Sequence, residues 1–529
     1  MLRSTFYGFE ASKSAIFANQ KALDIVGNNL ANANTDGYTR QRLETSPTSY
    51  SASSNRVASS RIGQAGAGVT VLGVSQIRDS FIDKNYRDEL SDSTYYKKAQ
   101  DILTEIRNAI PDSGDITTGS GLIGGLENIY ESLNSYIQHP TYESEANIVK
   151  SSFSRLAQVL HDVSSSLDQI ESRETGDLGT TVDRVNSILS DIQHYNQAIA
   201  TEKNSLSTTD SAYFSPNELV DKQNLLLDEL SQYAKISVSK NADSTLNISF
   251  VGADGTQATV VDGTDTSSAP GKLTLDADTK KFSLKTADGT DKSDYQFKAG
   301  MMKSYADVLT GMGENSGTDN TAQGIPYYRS MLDAFAQNLA DVANSTIPDT
   351  TDDNGAIKKD GLGNTVYKKL LGAKQNDGTI DTSAAVTAAN ISISSDWSKD
   401  SGYFIFNKND NVEDYAQQLS SRLSGDETTE FKYGGDSKES FRGNFENYVT
   451  NLVGKVGTDV SSTTNSYTAK KAVADEFLTQ RESNSGVQRD EETANMLEYQ
   501  KAYQASARMM SVMDDILDML INDLGAKIS

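Results

Sequence analysis

The chain of 529 residues carries three histidines (His139, His161, His194), one tryptophan (Trp397) and no cysteine. Thiolate nucleophiles, thiolate metal sites and disulfides are thereby excluded. His161 and His194 lie far apart in helical stretches and no His-Glu-x-x-His pair occurs, so a zinc site is not expected. Gly63-Gln-Ala-Gly66-Ala-Gly68 has some of the glycine spacing of a phosphate loop. No apolar strand leads into it and no Lys-Ser/Thr pair follows, so it reads as a flexible hinge. Asp352-Asp353-Asn354 begins like a calcium loop but lacks the glycine and the closing glutamate that would complete one; a solvated turn fits better. No serine lies in a nucleophile elbow. Neither catalysis nor a metal nor any cofactor is expected.

What the residues do offer is a seam for protein contacts. Near the C-terminus Met496, Tyr503, Met510, Leu517 and Leu524 recur every seven residues. Tyr499, Ser506, Met513 and Leu520 form a second row three residues later. This is coiled-coil spacing. Ala502, Met509, Ile516 and Ala505, Val512, Met519 widen the apolar face beyond what one partner helix covers. Tyr499 and Tyr503, four residues apart on that seam, read as packing residues rather than ligand-stacking ones. Asp490 is the expected N-cap, with Glu491 and Glu492 in the first turn. At the other end of the chain Phe9, Ile16, Leu23 and Leu30 are also spaced by seven. That helix stops at Asn32-Ala-Asn-Thr35-Asp-Gly37-Tyr38, where Asn and Asp favour local turns and Gly supplies positive φ.

Between these ends the period changes twice. Residues 45 to 68 read as an extended connection and Val69 to Val74 as a strand. From Ser75 to Ser239 the signal is mostly helical. It includes a very long stretch from Ile148 to Ile199, expected to be interrupted at Gly176 and Gly179. Alternation then takes over at Ile236, Leu246 to Phe250, Leu273 to Leu275 and Phe282 to Leu284, divided by Gly, Asp and Thr clusters. Helix returns at Met331 to Val342. A second Gly/Asp/Asn-rich region holds strand-like pieces at Ile391 to Ile393 and Tyr403 to Phe406, and a helix at Val412 to Leu423. A last long helix carries Phe441, Phe445, Tyr448 and Phe477 before the turn at Asn484-Ser-Gly486.

The expected fold is multidomain α+β: terminal coiled-coil helices and a long helical bundle with inserted all-β or mixed outer domains. Residues 1–45 and 485–529 form the terminal unit. Residues 46–235, 300–345 and 439–484 form the bundle, and 236–299 and 346–438 are the inserts. With 48 basic and 73 acidic residues the net charge is −25, against nucleic acid and anionic membrane as partners. No apolar run approaches the roughly 20 residues of a membrane span, and no cleavable secretory signal opens the chain.

The run Asn29-Leu-Ala-Asn32-Ala-Asn-Thr35-Asp-Gly37-Tyr38 resembles the N-terminal signature of the flagellar axial proteins, the rod, hook and hook-associated proteins. Thr39-Arg40-Gln41 looks like the hook-associated subgroup. So do Ser485-Gly-Val487, Asp490-Glu-Glu492, Ala494-Asn495 and the run from Tyr499 to Arg508. The specific motifs cover roughly the first and last 45 residues. The resemblance implies paired terminal helices that line a tube of identical copies, with the middle of the chain facing outward. It also implies a non-enzymatic extracellular joint between hook and filament, exported uncleaved by a type III route. The implied partners are the hook protein, a second hook–filament junction protein, and a cytoplasmic export chaperone on the C-terminal helix. Another axial protein (hook or distal rod), or an axial scaffold with an enzymatic or adhesive insert, is the alternative. Three further expectations follow. Phe9, Ile16, Leu23, Leu30, Met496, Tyr499, Tyr503, Met510, Met513, Leu517 and Leu520 form the assembly interface. The terminal faces are not buried within one chain and order only on assembly. Residues 241 to 295 are dispensable.

Overall fold

The computed structural model describes residues 5–48, 68–110, 121–140, 142–205, 216–314, 320–350, 356–404, 412–425, 428–435 and 438–525. Gly63 to Ala67 and Asp352-Asp353-Asn354 lie outside the described residues. Helix α1 (Thr5–Ala31) leads to strands β1 (Gln41–Pro47) and β2 (Val69–Gln76). Four helices follow: α2 (Ser80–Ala109), α3 (Gly121–Gln138), α4 (Glu143–Ser205) and α5 (Asn217–Tyr233). Then come β3 (Ile236–Lys240), β4 (Leu246–Val251), β5 (Gln257–Val261), β6 (Lys272–Leu275), β7 (Phe282–Lys285) and β8 (Asp291–Lys292). Helices α6 (Met301–Thr310) and α7 (Ile325–Asn344) return to the body. Strands β9 (Leu371–Lys374), β10 (Ile380–Asp381) and β11 (Ile391–Ile393) precede α8 (Ser395–Lys399), a 3-10 turn (Ser401–Phe404) and α9 (Val412–Ser424). The chain ends with β12 (Thr429–Tyr433), β13 (Glu439–Gly443), α10 (Phe445–Ser485) and α11 (Arg489–Gly525). All named strand pairs are antiparallel, in small sheets β1-β2, β3-β4-β5, β6-β7-β8, β10-β9-β11 and β12-β13.

The long axis of the body is α4, 63 residues without a break. At about 1.5 Å per residue it is a rod of roughly 95 Å. The interruption expected at Gly176 and Gly179 does not occur. A buried row at helical spacing, Leu167, Ile170, Leu178, Val182, Val185 and Leu189, runs straight through the glycines, and tertiary burial overrides their poor propensity. A Cβ added at either glycine would meet nothing within 4 Å. Gly176→Ala and Gly179→Ala are therefore expected to stabilise the fold by about 0.5–1 kcal/mol each. The check is a higher urea midpoint at unchanged slope; a lower midpoint would contradict it.

Helix α10 packs antiparallel along α2. Arg481 meets Asp83 and Tyr86 at one end, and Lys470 pairs with Glu89 and Asp92 further along. Two expectations about α10 and its surroundings are corrected. Phe441 is not part of the helix but lies in β13, because Asn444 caps the helix start by accepting a hydrogen bond from Asn447 N at 2.7 Å. Tyr403 and Phe404 close a 3-10 turn rather than a strand, with Phe404 packed on Tyr136 and Trp397. Thr45 to Pro47, expected to open the extended connection, instead complete the strand Gln41–Pro47. Its partner β2 pairs with it from Gln41 opposite Gln76 to Pro47 opposite Val69, with a bulge between Glu44 and Thr45.

The strands after α5 are built onto α4. Asn186 donates to Leu273 O and accepts from Leu273 N, both at 2.8 Å. Asn196, fully buried, does the same to Leu246 at 2.9 Å, and its oxygen also accepts from the Gln223 amide. Asn344 of α7 serves Leu370 and Leu371 in the same way. Each asparagine amide thus completes a strand backbone as a neighbouring strand would. Residues 241 to 295 consequently share one core with the helices, and the dispensability expected for them is not supported. Asn196→Ala strands a buried N–H, a carbonyl and an amide. It is expected to cost about 2–5 kcal/mol, measured by chemical denaturation; a loss below about 0.5 kcal/mol would mean that water replaces the amide.

Candidate functional site

The two ends of the chain lie side by side. Helix α1 packs along α11 in an antiparallel pair: Asn29 reaches Glu492, and Gly8 sits at Met513. A Cβ on Gly8 would come within 2.7 Å of Met513 Cε, so the glycine permits the close approach. The expectation that neither face is buried within one chain is therefore corrected: the ends are helical and partner each other. Among the described side chains of α1 the buried ones are Ala18, Ala22, Ile25 and Val26, with Ser12 and Asn29. Phe9, Ile16, Leu23 and Leu30 flank that strip and are half-buried. On α11, Met496, Tyr499, Met510, Met513 and Leu517 are half-buried, while Tyr503 is exposed. Leu520 lies outside the described side chains.

One apolar row of α11 remains uncovered. Met509, Val512, Ile516 and Met519 share a helix face and are 47%, 51%, 39% and 63% exposed. Leu497 and, on α1, Phe17 are also exposed. The extra width noted in the sequence is thus the part that α1 does not reach.

At its root the pair meets the body through a buried polar network. Asn29 is 1% exposed and uses every group it has. Its amide nitrogen donates to Gln41 O and Glu492 Oε2; its oxygen accepts from Gln41 N and from the Tyr38 hydroxyl. Arg40 Nε donates to Glu492 Oε1 at 2.7 Å, Nη1 to Glu491 at 2.9 Å, and Arg40 N to Ser485 O at 2.9 Å. Thr39 Oγ1 donates to Asp221 Oδ1 of α5 at 2.6 Å and accepts from Arg78, which in turn clamps Asp83 with two bonds. Arg481 of α10 and Arg87 of α2 both hold Asp228 of α5 at 2.7 Å.

The electrostatics divide these carboxylates. Burial outweighs the bonds from Thr39 and the pull of Arg78 and raises the Asp221 carboxyl above its ordinary range. Burial acts the same way on Asp228, but the Arg87 and Arg481 guanidiniums together overcome it and hold that carboxyl low. Burial, then Asp221 and Glu492, push the Tyr38 phenol up to about 12, so it remains a donor to Asn29 across physiological pH.

The turn after α1 behaves as its residues suggest. Asn32 bonds Asn28, Thr35 Oγ1 donates to Asn32 Oδ1, and Gly37 has φ of 78°. Asp490 is not the cap of α11; the helix begins at Arg489, and Glu492 N donates to Gln488 O. The sequence reading missed the roles of Arg78, Asp83, Asp221 and Glu492 at this root. The one available signal was Arg40 beside the terminal signature. Elsewhere, His139 stacks on Tyr142. His161 and His194 lie on α4, roughly 50 Å apart along its axis. Among the described residues no group of three or more His, Asp or Glu is placed to hold a metal ion.

Comparison with known proteins follows the same outline. The helical-domain model of the flagellar hook-associated protein FlgK matches residues 114–360. The flagella basal body rod protein model matches residues 9–39, and the C-terminal model of the flagellar basal body rod FlgEFG proteins matches 479–524. These last two segments hold the paired helices. Flagellar hook-associated protein 1 of Bacillus subtilis is 29% identical over 99% of both chains. The Salmonella typhimurium protein of the same name is 25% identical over 96% of this chain and 98% of its own. The fold resembles that of the flagellar hook junction protein FlgK from Burkholderia pseudomallei, with a TM-score of 0.54 at 11% identity, over 76% of this chain and 100% of the other. With the terminal segments, the helical domain and the full length all matching in order, the chain belongs to the FlgK family of flagellar hook-associated proteins.

Proposed function

We propose that this chain is a non-enzymatic structural joint of the bacterial flagellum, placed between hook and filament. Copies of it form a tube through the α1–α11 pair, with Phe9, Ile16, Leu23, Leu30 and the α11 rows as contact residues. The body and its strands stand outside that tube. The observation that carries this reading is the uncovered row Met509, Val512, Ile516 and Met519, left over after α1 has covered its share of α11. An apolar strip of this kind on a helix favours a further protein neighbour. The partners on either side are the hook protein and a second junction protein. Before export a chaperone shields α11 in the cytoplasm, and the chain leaves uncleaved by the flagellar type III route.

The test is a strain lacking the gene, with and without a complementing copy. Cells without it are expected to build hooks, shed unpolymerised flagellin into the medium and carry no filaments. Normal filaments in that strain would refute the reading.

A further inference from the structure

Three consecutive residues, Thr39-Arg40-Gln41, each bond to a different element. Thr39 is 3% exposed and holds Asp221 of α5 through both its hydroxyl and its N–H. Arg40 holds Glu491 and Glu492 of α11 with its side chain and the end of α10 with its N–H. Gln41 exchanges two bonds with Asn29 of α1 through its backbone. The carboxylates they meet are mostly buried: Glu492 is 1% and Asp221 9% exposed. Around them the side chains of the β1–β2 hairpin, such as Leu43 and Val74, are only half-buried, and Val71 is exposed.

Hydrophobic burial is non-directional, whereas hydrogen bonds constrain angle, and those from Thr39 Oγ1 and the Arg40 side chain are also short and charge-assisted. A joint with little apolar filling and a saturated polar network takes its direction from the network. A buried charge left without its partner is costly, so arrangements that part Arg40 from Glu492 are disfavoured.

We propose that Thr39-Arg40-Gln41 is an orientation key that sets the angle of the α1–α11 pair relative to the body. Arg40 fixes the pair through Glu492, and Thr39 fixes the same backbone to the body through Asp221. The four-element contact makes the tripeptide a positioning device and not part of the assembly surface. Its consequence for a tube of copies rests on the function proposed above; the orientation itself is a property of the single chain.

The chain has no cysteine, so two spin labels can be placed without background. Ala472→Cys on α10 and Gln504→Cys on α11 are both exposed sites flanking the joint. Electron-electron distance measurement on the full-length monomer is expected to give a single narrow distribution. Adding Arg40→Met, or separately Thr39→Val, should replace it by a broad or displaced one, while the far-ultraviolet spectrum and the cooperative melting of the body stay unchanged. Arg40→Lys keeps the charge but loses the forked geometry and should fall between the two. An unchanged narrow distribution in Arg40→Met and Thr39→Val would overturn the proposal. So would loss of cooperative melting in both variants, which would make the tripeptide part of the folding core. A displaced distance in a variant that still builds filaments would keep the key but refute its role in the tube. Failure of filaments with an unmoved distance would leave the tube and refute the key.

Discussion

Cells carrying Leu517→Asp are expected to make hooks and secrete the protein, yet build no filament. Leu517 is half-buried on α11, one helical turn beyond Met513, where that residue packs on Gly8 of α1. An unpaired carboxylate placed there costs several kcal/mol unless it protonates or reaches water. In a polymer that cost recurs at every copy, so incorporation fails cooperatively. The monomer stays folded, because the buried network at Glu492 lies about seven helical turns away and the body has its own core. The amount secreted separates two causes. Normal secretion without filaments places the defect in assembly; absence from the medium places it in export or degradation. Normal filaments would show that this row is not buried in the assembly.

Deleting residues 241 to 295 and bridging the gap with a Gly/Ser linker is expected to destroy the folded protein rather than trim an appendage. Ile248, Phe250, Val260, Leu273, Phe282 and Leu284 are all 2% exposed or less, within a core shared with the helices. The segment also bonds α4 at Asn186, Gln193 and Asn196. Its removal would uncover the part of α4 on which β5 and β6 pack, at about 1.5–3 kcal/mol for each large apolar side chain fully exposed. A few such exposures match a whole-domain stability of about 5–15 kcal/mol. Soluble yield and a melting curve decide this. A soluble variant that melts cooperatively would mean that the neighbouring helices cover this end of α4 without the strands.

The terminal pair was legible because a seven-residue period states both helix and seam, and the two stretches have matching apolar faces. The width of the α11 face was legible too, since Met509, Val512, Ile516 and Met519 stand outside the a and d rows. The root was not. Arg78 with Asp83, Asp221 and Glu492 come from three separate segments, and no local pattern announces that they converge. Strand β1 was hidden by its composition: in Gln41–Pro47 Leu43 stands alone among polar residues, so no period of two appears. The strands after α5 were visible from their alternation, but their dependence on α4 was not. It rests on Asn186 and Asn196, which read as ordinary solvent-facing positions of a long helix. Gly176 and Gly179 misled for a related reason: propensity is local, and the buried row that overrides it is set by neighbours distant in sequence.

The most direct test of the α1–α11 pair as the surface joining copies is photo-crosslinking inside intact flagella. A benzoylphenylalanine is placed at Val512, on the uncovered row of α11, and in a separate strain at Thr274, exposed on β6. Illumination of intact flagella is expected to yield covalent multimers of this chain from the Val512 strain and none from the Thr274 strain, with the Val512 product lost when flagella are dissociated beforehand. Multimers from Thr274 with none from Val512 would contradict the assignment and place the contact between copies in the strands.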